Sequence, residues 1–158
     1  MKLFNLNSPS TTLRSKLLTI LLGYIVIFAW MEFVSHLLHW LYPPPPGNTF
    51  GQVFFNPVTP PLRYIIFVTI IWAPFWEEIF NRHAYGLIVK QIGNKFLLPA
   101  MIISSFVFGW LHDDGQLSIL RQGVMGMVFF YVYVKNGYSW RSSWLLHAAW
   151  NATCVFLP

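Results

Sequence analysis

The chain has 158 residues, of which 56% are hydrophobic and only 9% are charged, and its mean hydropathy is +0.53. A soluble domain carries about 25% charged residues, so this composition excludes a largely water-exposed surface and predicts one integral membrane domain. The net charge of +5 does not indicate nucleic-acid binding, because the ten Lys and Arg residues are scattered between apolar runs without any nucleic-acid motif.

Five apolar segments predict an all-α fold, a polytopic transmembrane helical bundle with about five spans. They cover residues 17–41, 64–80 with an apolar continuation to 89, 96–111, 119–134 and 143–157. The first segment is too long for the core of a signal peptide, which has about 7–15 residues. A spanning helix needs about 20 residues, so the last three segments are short for this role.

A proline-rich stretch separates the first segment from the other four. Residues 42–61 contain four consecutive prolines and three more near the end. Proline has no backbone N–H to donate, so this stretch is predicted to be an extended or turning loop. It divides the single membrane domain into an N-terminal segment, residues 1–61, and a helical core, residues 62–158.

The basic residues predict the orientation of the chain in the membrane. If the N-terminus lies in the cytoplasm, eight Lys and Arg residues fall on the cytoplasmic side, and only Arg63 and Arg121 fall outside. Cytoplasmic loops carry an excess of basic residues. The pattern therefore favours a cytoplasmic N-terminus and, with five spans, an external C-terminus.

The second apolar segment and its continuation contain the charged residues Glu77, Glu78 and Arg82, although each such group costs about 2.5–3.5 kcal/mol inside a membrane helix. Glu78 and Arg82 are four residues apart and can pair on one helix face. Glu77 is rotated by about 100° and lacks that partner, which suits a general base or acid. Pro74 frees the carbonyl of Ile70 and predicts a kink with a small water-holding gap. The alternative is an interfacial charge pair that ends a helix.

In each of two later segments, a histidine lies four residues, or about one helical turn, from another candidate site residue. Phe108 and His112 are one turn apart, and Gly109 permits close approach of another helix. The alternative for His112 is an interfacial side chain that caps a helix. His147 and Asn151 are four apart and could both donate to one developing oxyanion. Their alternative is an interhelical hydrogen-bonding pair.

A fourth polar set lies on the first helix. Glu32, His36 and His39 follow one another at i, i+4 and i+7 and so form one polar face. A metal site, a proton path and a docking face for the other helices are all compatible with this pattern. We favour the docking face, since no further acid or histidine is forced to join the set.

The three motifs of the core, in this order, resemble the signature of the CAAX protease and bacteriocin-processing family (also called the Abi family) of glutamic-type intramembrane proteases. That signature is Glu-Glu-x-x-x-Arg, then Phe-x-x-x-His, then His-x-x-x-Asn or His-x-x-x-Asp. Here it occupies residues 77–82, 108–112 and 147–151. Residues 136–140 are similar to the family's usual lead-in, and the resemblance covers residues 62–157.

The resemblance implies a role for each catalytic position. Glu77 would activate the attacking water, and His112 would position that water and share its proton. His147 and Asn151 would stabilise the oxyanion. The implied function is an endopeptidase that hydrolyses a peptide bond of a membrane-associated protein or peptide and needs no cofactor.

The resemblance also implies supporting residues, partners and a location. Glu78 and Arg82 would form a supporting ion pair, and Phe108 would support His112. The expected partners are membrane lipid and a membrane-anchored substrate, in a bacterial plasma membrane. Prenylated substrates are less expected, since the eukaryotic Ras-converting members have about eight spans.

Three other functions stay open at this stage. Glu77, His112 and His147 are acceptable zinc ligands, which would make the protein a zinc-dependent membrane protease. A non-catalytic membrane scaffold or bacteriocin-immunity protein could retain the same fold. A small transporter would also explain ionisable groups within membrane helices.

One positional difficulty accompanies the glutamic-protease hypothesis. Simple counting places Glu77 and His147 toward the cytoplasmic side and His112 toward the outside, although the three must meet. They can meet if the third helix is short and tilted, or if the second helix continues through Val89 and brings Glu77 to mid-depth, which we favour. In that case Arg82 would also be buried, and its carboxylate partner would be obligatory.

Overall fold

A computed structural model describes residues 9–10, 12–41, 62–112 and 117–157, and every element in these ranges is helical. The predicted all-α class is therefore confirmed for this part of the chain. The proline-rich loop at residues 42–61 and the turn at 113–116 lie outside the described residues, and their conformations stay predictions.

The helices form five segments, as the apolar pattern predicts. The first is α1, Leu13–Leu41. The second runs without interruption from residue 62 to residue 92 and alternates between α and π turns. Its parts are α2 (Leu62–Ile65), a first π segment (Ile66–Trp72), α3 (Ala73–Glu78), a second π segment (Ile79–His83) and α4 (Ala84–Ile92).

The last three segments are shorter. A 3₁₀ turn, Asn94–Phe96, leads into α5, Leu97–Leu111. A third π segment, Ile119–Gly123, continues as α6, Val124–Lys135, and α7 covers Trp140–Phe156. Two stretches of the described residues, Leu13–Leu38 and Asn94–Leu111, are long and apolar enough by themselves to cross a membrane. The count of five spans therefore stays a prediction.

Hydrogen bonds between helices fix the directions of α1 and α6. The backbone N–H of Ser10, just before α1, donates to the carbonyl of Lys135 at the end of α6 (2.6 Å). Toward the other end, the indole N–H of Trp30 donates to the carbonyl of Leu120 (3.1 Å). The two helices are therefore antiparallel, as expected for the first and fourth of five alternating passes through one bundle.

Helix α6 lies at the centre of the bundle and supplies side chains to both hydrophobic clusters. One cluster joins it to α1, α5 and α7, and the other joins it to α4 and the start of α5. The first contains Ile27, Phe108, Met125, Phe129, Val132, Leu146 and Trp150. The second contains Val89, Leu97, Phe130, Tyr133 and Val134. Van der Waals packing of these side chains favours association of the helices in the described core.

Close approach between α5 and the third π segment depends on Gly109. A Cβ atom there would lie 2.8 Å from the Cα of Ile119 and 3.0 Å from the backbone nitrogen of Gly123. The carbonyl of Gly109 also accepts a 2.6 Å hydrogen bond from the hydroxyl of Ser118. The expectation that Gly109 permits another helix to approach is confirmed.

The polar face of α1 does not dock against the other described helices. The side chains of Glu32 and His36 are 58% and 84% exposed and lie 3.8 Å from each other. The docking role favoured from the sequence is therefore wrong for these two residues. They can be hydrated or lipid-facing at the end of α1 without a protein partner, so their spacing alone did not require one. The side chain of His39 lies outside the described residues.

Candidate active site

The continuous helix from residue 62 to residue 92 places Glu77 near its middle. The sequence predicts that this helix extends through Val89, and the structure confirms it. As a result, Glu77 faces both the C-terminal end of α5 and the second turn of α7. This arrangement resolves the positional difficulty, because His112 and His147 both reach the same carboxylate.

Glu78 and Arg82 form the predicted ion pair in the interior of the bundle. The Arg82 Nε atom lies 3.6 Å from Glu78 Oε2, and both side chains are fully buried. Removing one partner of such a pair leaves an uncompensated buried charge. Arg82 therefore requires an ionised Glu78, as the sequence analysis expects for a buried arginine.

Glu78 also orients His147. The Nδ1 atom of His147 lies 3.0 Å from Glu78 Oε1. Because the carboxylate is ionised and can only accept, Nδ1 carries the proton and donates. In the neutral ring, Nε2 is then without a proton, and it points to Glu77 Oε2 at 3.6 Å.

His112 is oriented by the backbone of its own motif. At the end of α5 its backbone leaves the helix (φ −89°, ψ 123°). Its Nδ1 atom donates to the carbonyl of Phe108 (2.7 Å). This bond places a proton on Nδ1, so that in the neutral ring Nε2 is an acceptor, 3.9 Å from Glu77 Oε2. The four-residue spacing of the motif thus places the His112 ring where it can bond to the Phe108 carbonyl.

Glu77 is the point at which the two imidazole rings meet. Its Oε2 atom is buried and makes no direct hydrogen bond within the described part of the chain. The distances of 3.6 and 3.9 Å to the histidine nitrogens exceed the usual hydrogen-bond length of about 2.7–3.2 Å. The Glu77 side chain as a whole is 30% exposed, while its Oε2 atom is enclosed beside the two rings.

Asn151 has a backbone partner in the second helical segment. Its Nδ2 atom donates to the carbonyl of Thr69 (2.8 Å). In this π segment the N–H of Ala73 bonds to the carbonyl of Val68, five residues back. The next donor in that register would belong to Pro74, which has none. The π register therefore moves the freed carbonyl from Ile70, as expected for an α-helix, to Thr69, and Asn151 satisfies it.

Phe129 and Gly126 also line the site, although no motif in the sequence includes them. The Phe129 ring stacks on His147 with centroids 4.4 Å apart. A Cβ atom on Gly126 would lie 3.1 Å from an Arg82 nitrogen. Several aromatic residues follow one another in α6, so no pattern in the sequence distinguishes Phe129 from its neighbours.

A zinc site at Glu77, His112 and His147 was the metal alternative. Among the described residues, no three His, Cys, Asp or Glu side chains are arranged to hold a metal ion. The atoms of the set would have to move for joint coordination, since zinc ligands lie at about 2.0–2.2 Å from the metal. We therefore derive no catalytic step through a metal.

Comparison with known proteins supports the motif-based resemblance. The family model described as "Type II CAAX prenyl endopeptidase Rce1-like" matches residues 59–153, well over half of the chain and all three motifs. No curated protein and no solved structure matches the chain. The chain therefore belongs to the Rce1-like family of type II CAAX prenyl endopeptidases, which are membrane proteases that act on membrane-associated proteins.

Proposed function

We propose that this protein is an intramembrane endopeptidase in which Glu77 activates a water molecule to hydrolyse a peptide bond. One observation carries the proposal. A buried carboxylate oxygen without a direct hydrogen bond lies within 4 Å of the acceptor nitrogens of both His112 and His147. A water molecule is small enough to bridge the carboxylate oxygen and the histidine nitrogens. Its two hydrogens can be donated to two of these three acceptors.

The chemistry follows from the acceptor character of the three atoms. Glu77 takes a proton from the water as the water oxygen bonds to the carbonyl carbon of the substrate. The tetrahedral intermediate collapses when the carbon–nitrogen bond breaks, and Glu77 returns the proton to the departing amine. His112 holds the water by accepting its other proton in a hydrogen bond. Water is consumed, and one acid and one amine are formed.

The oxyanion would be stabilised from α7. A proton shared between Glu77 and His147 can reside on His147 Nε2, which then donates to the negatively charged oxygen. Asn151 uses one of its amide hydrogens for Thr69 and has a second one that can serve the same oxygen. Both donors lie on one face of the helix, one turn apart.

Glu78 and Arg82 would support the reaction without taking part in proton transfer. Their ion pair keeps Glu78 ionised, and Glu78 in turn keeps the proton of His147 on Nδ1. The Arg82 guanidinium lies 4.0 Å from the centre of the Phe108 ring, a favourable cation–π contact. Phe108 thereby links the ion pair to the helix that carries His112.

The proposed substrate is a membrane-anchored protein or peptide whose scissile bond can reach Glu77 from the bilayer. Many large apolar side chains of the second segment face outward, including Trp72, Trp76 and Phe80. Lipid covers such a surface in the absence of a partner. We propose no cofactor and no nucleic-acid partner for this reaction.

The test compares the protein in detergent with Glu77→Gln and, as a matched control, Glu32→Gln. Glu32 is an exposed carboxylate on α1 and lies outside the site. A pool of single-span membrane peptides is incubated with each protein, and the products are identified by mass spectrometry with and without a strong chelator.

We expect cleavage by the unchanged protein and by Glu32→Gln, an unchanged rate with the chelator, and cleavage that is slower by roughly 10²–10⁴-fold in Glu77→Gln. Cleavage at the normal rate by Glu77→Gln would contradict the proposal. Loss of cleavage in the chelator, with recovery on addition of zinc, would replace it by the zinc-dependent mechanism.

A further inference from the structure

The hydrogen bond from Nδ1 to Glu78 is one of the features that hold His147 Nε2 in place. Together with the covalent link between Cγ and Cβ, it restrains both side-chain torsions of the ring. Small swings of the ring about the Cβ–Cγ bond would still carry Nε2 away from Glu77. A contact with the face of the ring limits such swings.

Phe129 supplies that contact. Its ring and the His147 imidazole are stacked, with an interplanar angle of 20° and centroids 4.4 Å apart. Phe108 meets the same imidazole edge to face, at 5.7 Å and 78°. Phe129 is fully buried, so the stacking surface is itself held in place by close packing.

The same two phenyl rings contact Arg82. The guanidinium carbon lies 4.0 Å from the centre of Phe108 and 5.3 Å from the centre of Phe129. The guanidinium nitrogens make no direct hydrogen bond within the described residues. Their favourable contacts there are the ion pair with Glu78 and the two aromatic faces, so the aromatic rings set the position of the cation as well.

Gly126 provides the space for this arrangement. It precedes Phe129 by three residues, so both face the site from α6. A Cβ atom at Gly126 would lie 3.1 Å from Arg82 Nη2, 3.2 Å from Phe108 Cδ1 and 3.3 Å from Ser105 Cα. Even one methyl group would thus press on the cation and on one of the rings that hold it.

We infer that Phe129 is a positioning residue, which fixes the ring plane of His147 so that Nε2 faces Glu77, and that Gly126 sets the gap in which Phe129, Phe108 and Arg82 fit. The effect of this positioning on peptide cleavage rests on the proposed function. Neither residue touches the reacting atoms, and their effect passes through His147.

The first test is Phe129→Leu, with Phe130→Leu as the matched control. Phe130 is the next residue, is equally buried, and packs in the other cluster with Val89 and Leu97. Both changes remove the same ring from the same helix. The first readout is the protonation state of the His147 ring nitrogens, measured by nitrogen-15 NMR on histidine-labelled protein and assigned with His147→Ala.

We expect Phe129→Leu to populate both neutral tautomers of His147, while Phe130→Leu retains the Nδ1-protonated form of the unchanged protein. Cleavage of a pool peptide at saturation should fall about threefold to tenfold in Phe129→Leu, in line with the loss of one aromatic pair. The half-saturating peptide concentration should stay nearly constant. A wild-type tautomer and rate in Phe129→Leu, or equal changes in both variants, would overturn the inference.

Gly126→Ala gives a second route if Phe129→Leu does not fold. It leaves every ring in place and adds one methyl group against Arg82 and Phe108, so the His147 signals should also shift from the Nδ1-protonated form. Unchanged signals in Gly126→Ala would overturn the role of the gap. The NMR readout needs no substrate, so a failure of the proposed protease activity would be distinguishable from a failure of this inference.

Discussion

Glu77 and Glu78 are neighbours in the chain, yet their carboxylates lie in opposite surroundings. Glu78 is fully buried and has Arg82 and His147 as partners. Glu77 is partly exposed, and its inner oxygen makes no direct hydrogen bond within the described residues. Glu78 is thus placed to hold the structure together, whereas Glu77 has the surroundings required of the reactive carboxylate in the proposed mechanism.

This contrast predicts opposite effects of the same substitution. Glu78→Gln leaves the charge of Arg82 buried without its partner, so it should destabilise the protein by about 3–5 kcal/mol. Glu77→Gln should retain the thermal midpoint of the unchanged protein and lower cleavage by roughly 10²–10⁴-fold. Thermal unfolding in detergent, followed by intrinsic fluorescence, measures the first effect. A normal midpoint for Glu78→Gln would contradict the structural role of the pair.

The sequence predicts most of the site at this scale, because charged residues in apolar helices and helical spacing together identify Glu77, Arg82 and the two histidines. It cannot identify Phe129. Stacking on His147 depends on how α6 and α7 are rotated about their axes. Phe129 and Phe130 are chemically identical, and only the packed structure shows which of them faces His147.

At the scale of elements, the second helical segment is held in a partly π-helical form by side chains of α7. Asn151 donates to the carbonyl of Thr69, and the indole of Trp144 donates to the carbonyl of Ile71 (3.2 Å). These donors occupy positions that the backbone N–H groups of a regular α-helix would otherwise fill. The segment and α7 therefore depend on each other for their hydrogen bonding.

Because Asn151 bonds to the carbonyl that Pro74 leaves free, substitutions of the two residues should have non-additive effects on stability. Asn151→Ala should cost about 1–3 kcal/mol of stability, since the Thr69 carbonyl is left without its donor. Pro74→Ala restores the backbone N–H of residue 74, which can bond to the Thr69 carbonyl. In that background, Asn151→Ala should cost less by about 1 kcal/mol. Thermal midpoints of the four proteins form the cycle, and strictly additive effects would contradict it.

Gly109 and Gly23 should differ in how much stability the protein loses when each is replaced by alanine. A Cβ atom at Gly109 meets backbone atoms, whereas one at Gly23 meets the side-chain tips of Leu146 and Val132 at 2.9 Å. Both helices would gain up to about 1 kcal/mol of intrinsic propensity on substitution by alanine. Gly109→Ala should nevertheless lower the thermal midpoint well below that of Gly23→Ala. Equal midpoints would show that the helix backbones can separate at no cost.

The sequence predicts the five helices with ends within a few residues, because apolar runs and turn residues mark them directly. It does not predict the π turns of residues 66–72. These turns depend on donors from α7, which lies more than seventy residues further along the chain. The docking role of the α1 polar face was wrong for a related reason, since a one-dimensional pattern does not show which face meets a neighbour.

At the scale of the whole molecule, five spans with a cytoplasmic N-terminus, as predicted from the sequence, determine which parts share one side of the membrane. The 93–96 turn and the start of α7 should lie on the cytoplasmic side, and the end of α7 should lie outside. The test uses Cys154→Ser protein with one new cysteine, by Lys95→Cys, Arg141→Cys or Leu157→Cys. All three positions are exposed in the described structure.

With an impermeant maleimide added outside intact cells, we expect labelling at position 157 only. Labelling at positions 95 and 141 should appear once the membrane is opened. Reactivity of positions 141 and 157 from the same side would show that α7 does not cross the bilayer. The number of spans would then be smaller than five.

The hydrogen bonds that place a proton on Nδ1 of both His112 and His147 have a consequence for the choice of inhibitors. When both rings are neutral and Glu77 is ionised, the three groups offer three acceptors and no donor to a visiting molecule. Compounds that bring their own O–H groups, such as hydrated ketones or hydroxamic acids, should therefore be held well. Carboxylates and simple carbonyl analogues should be poor ligands until a proton has been supplied.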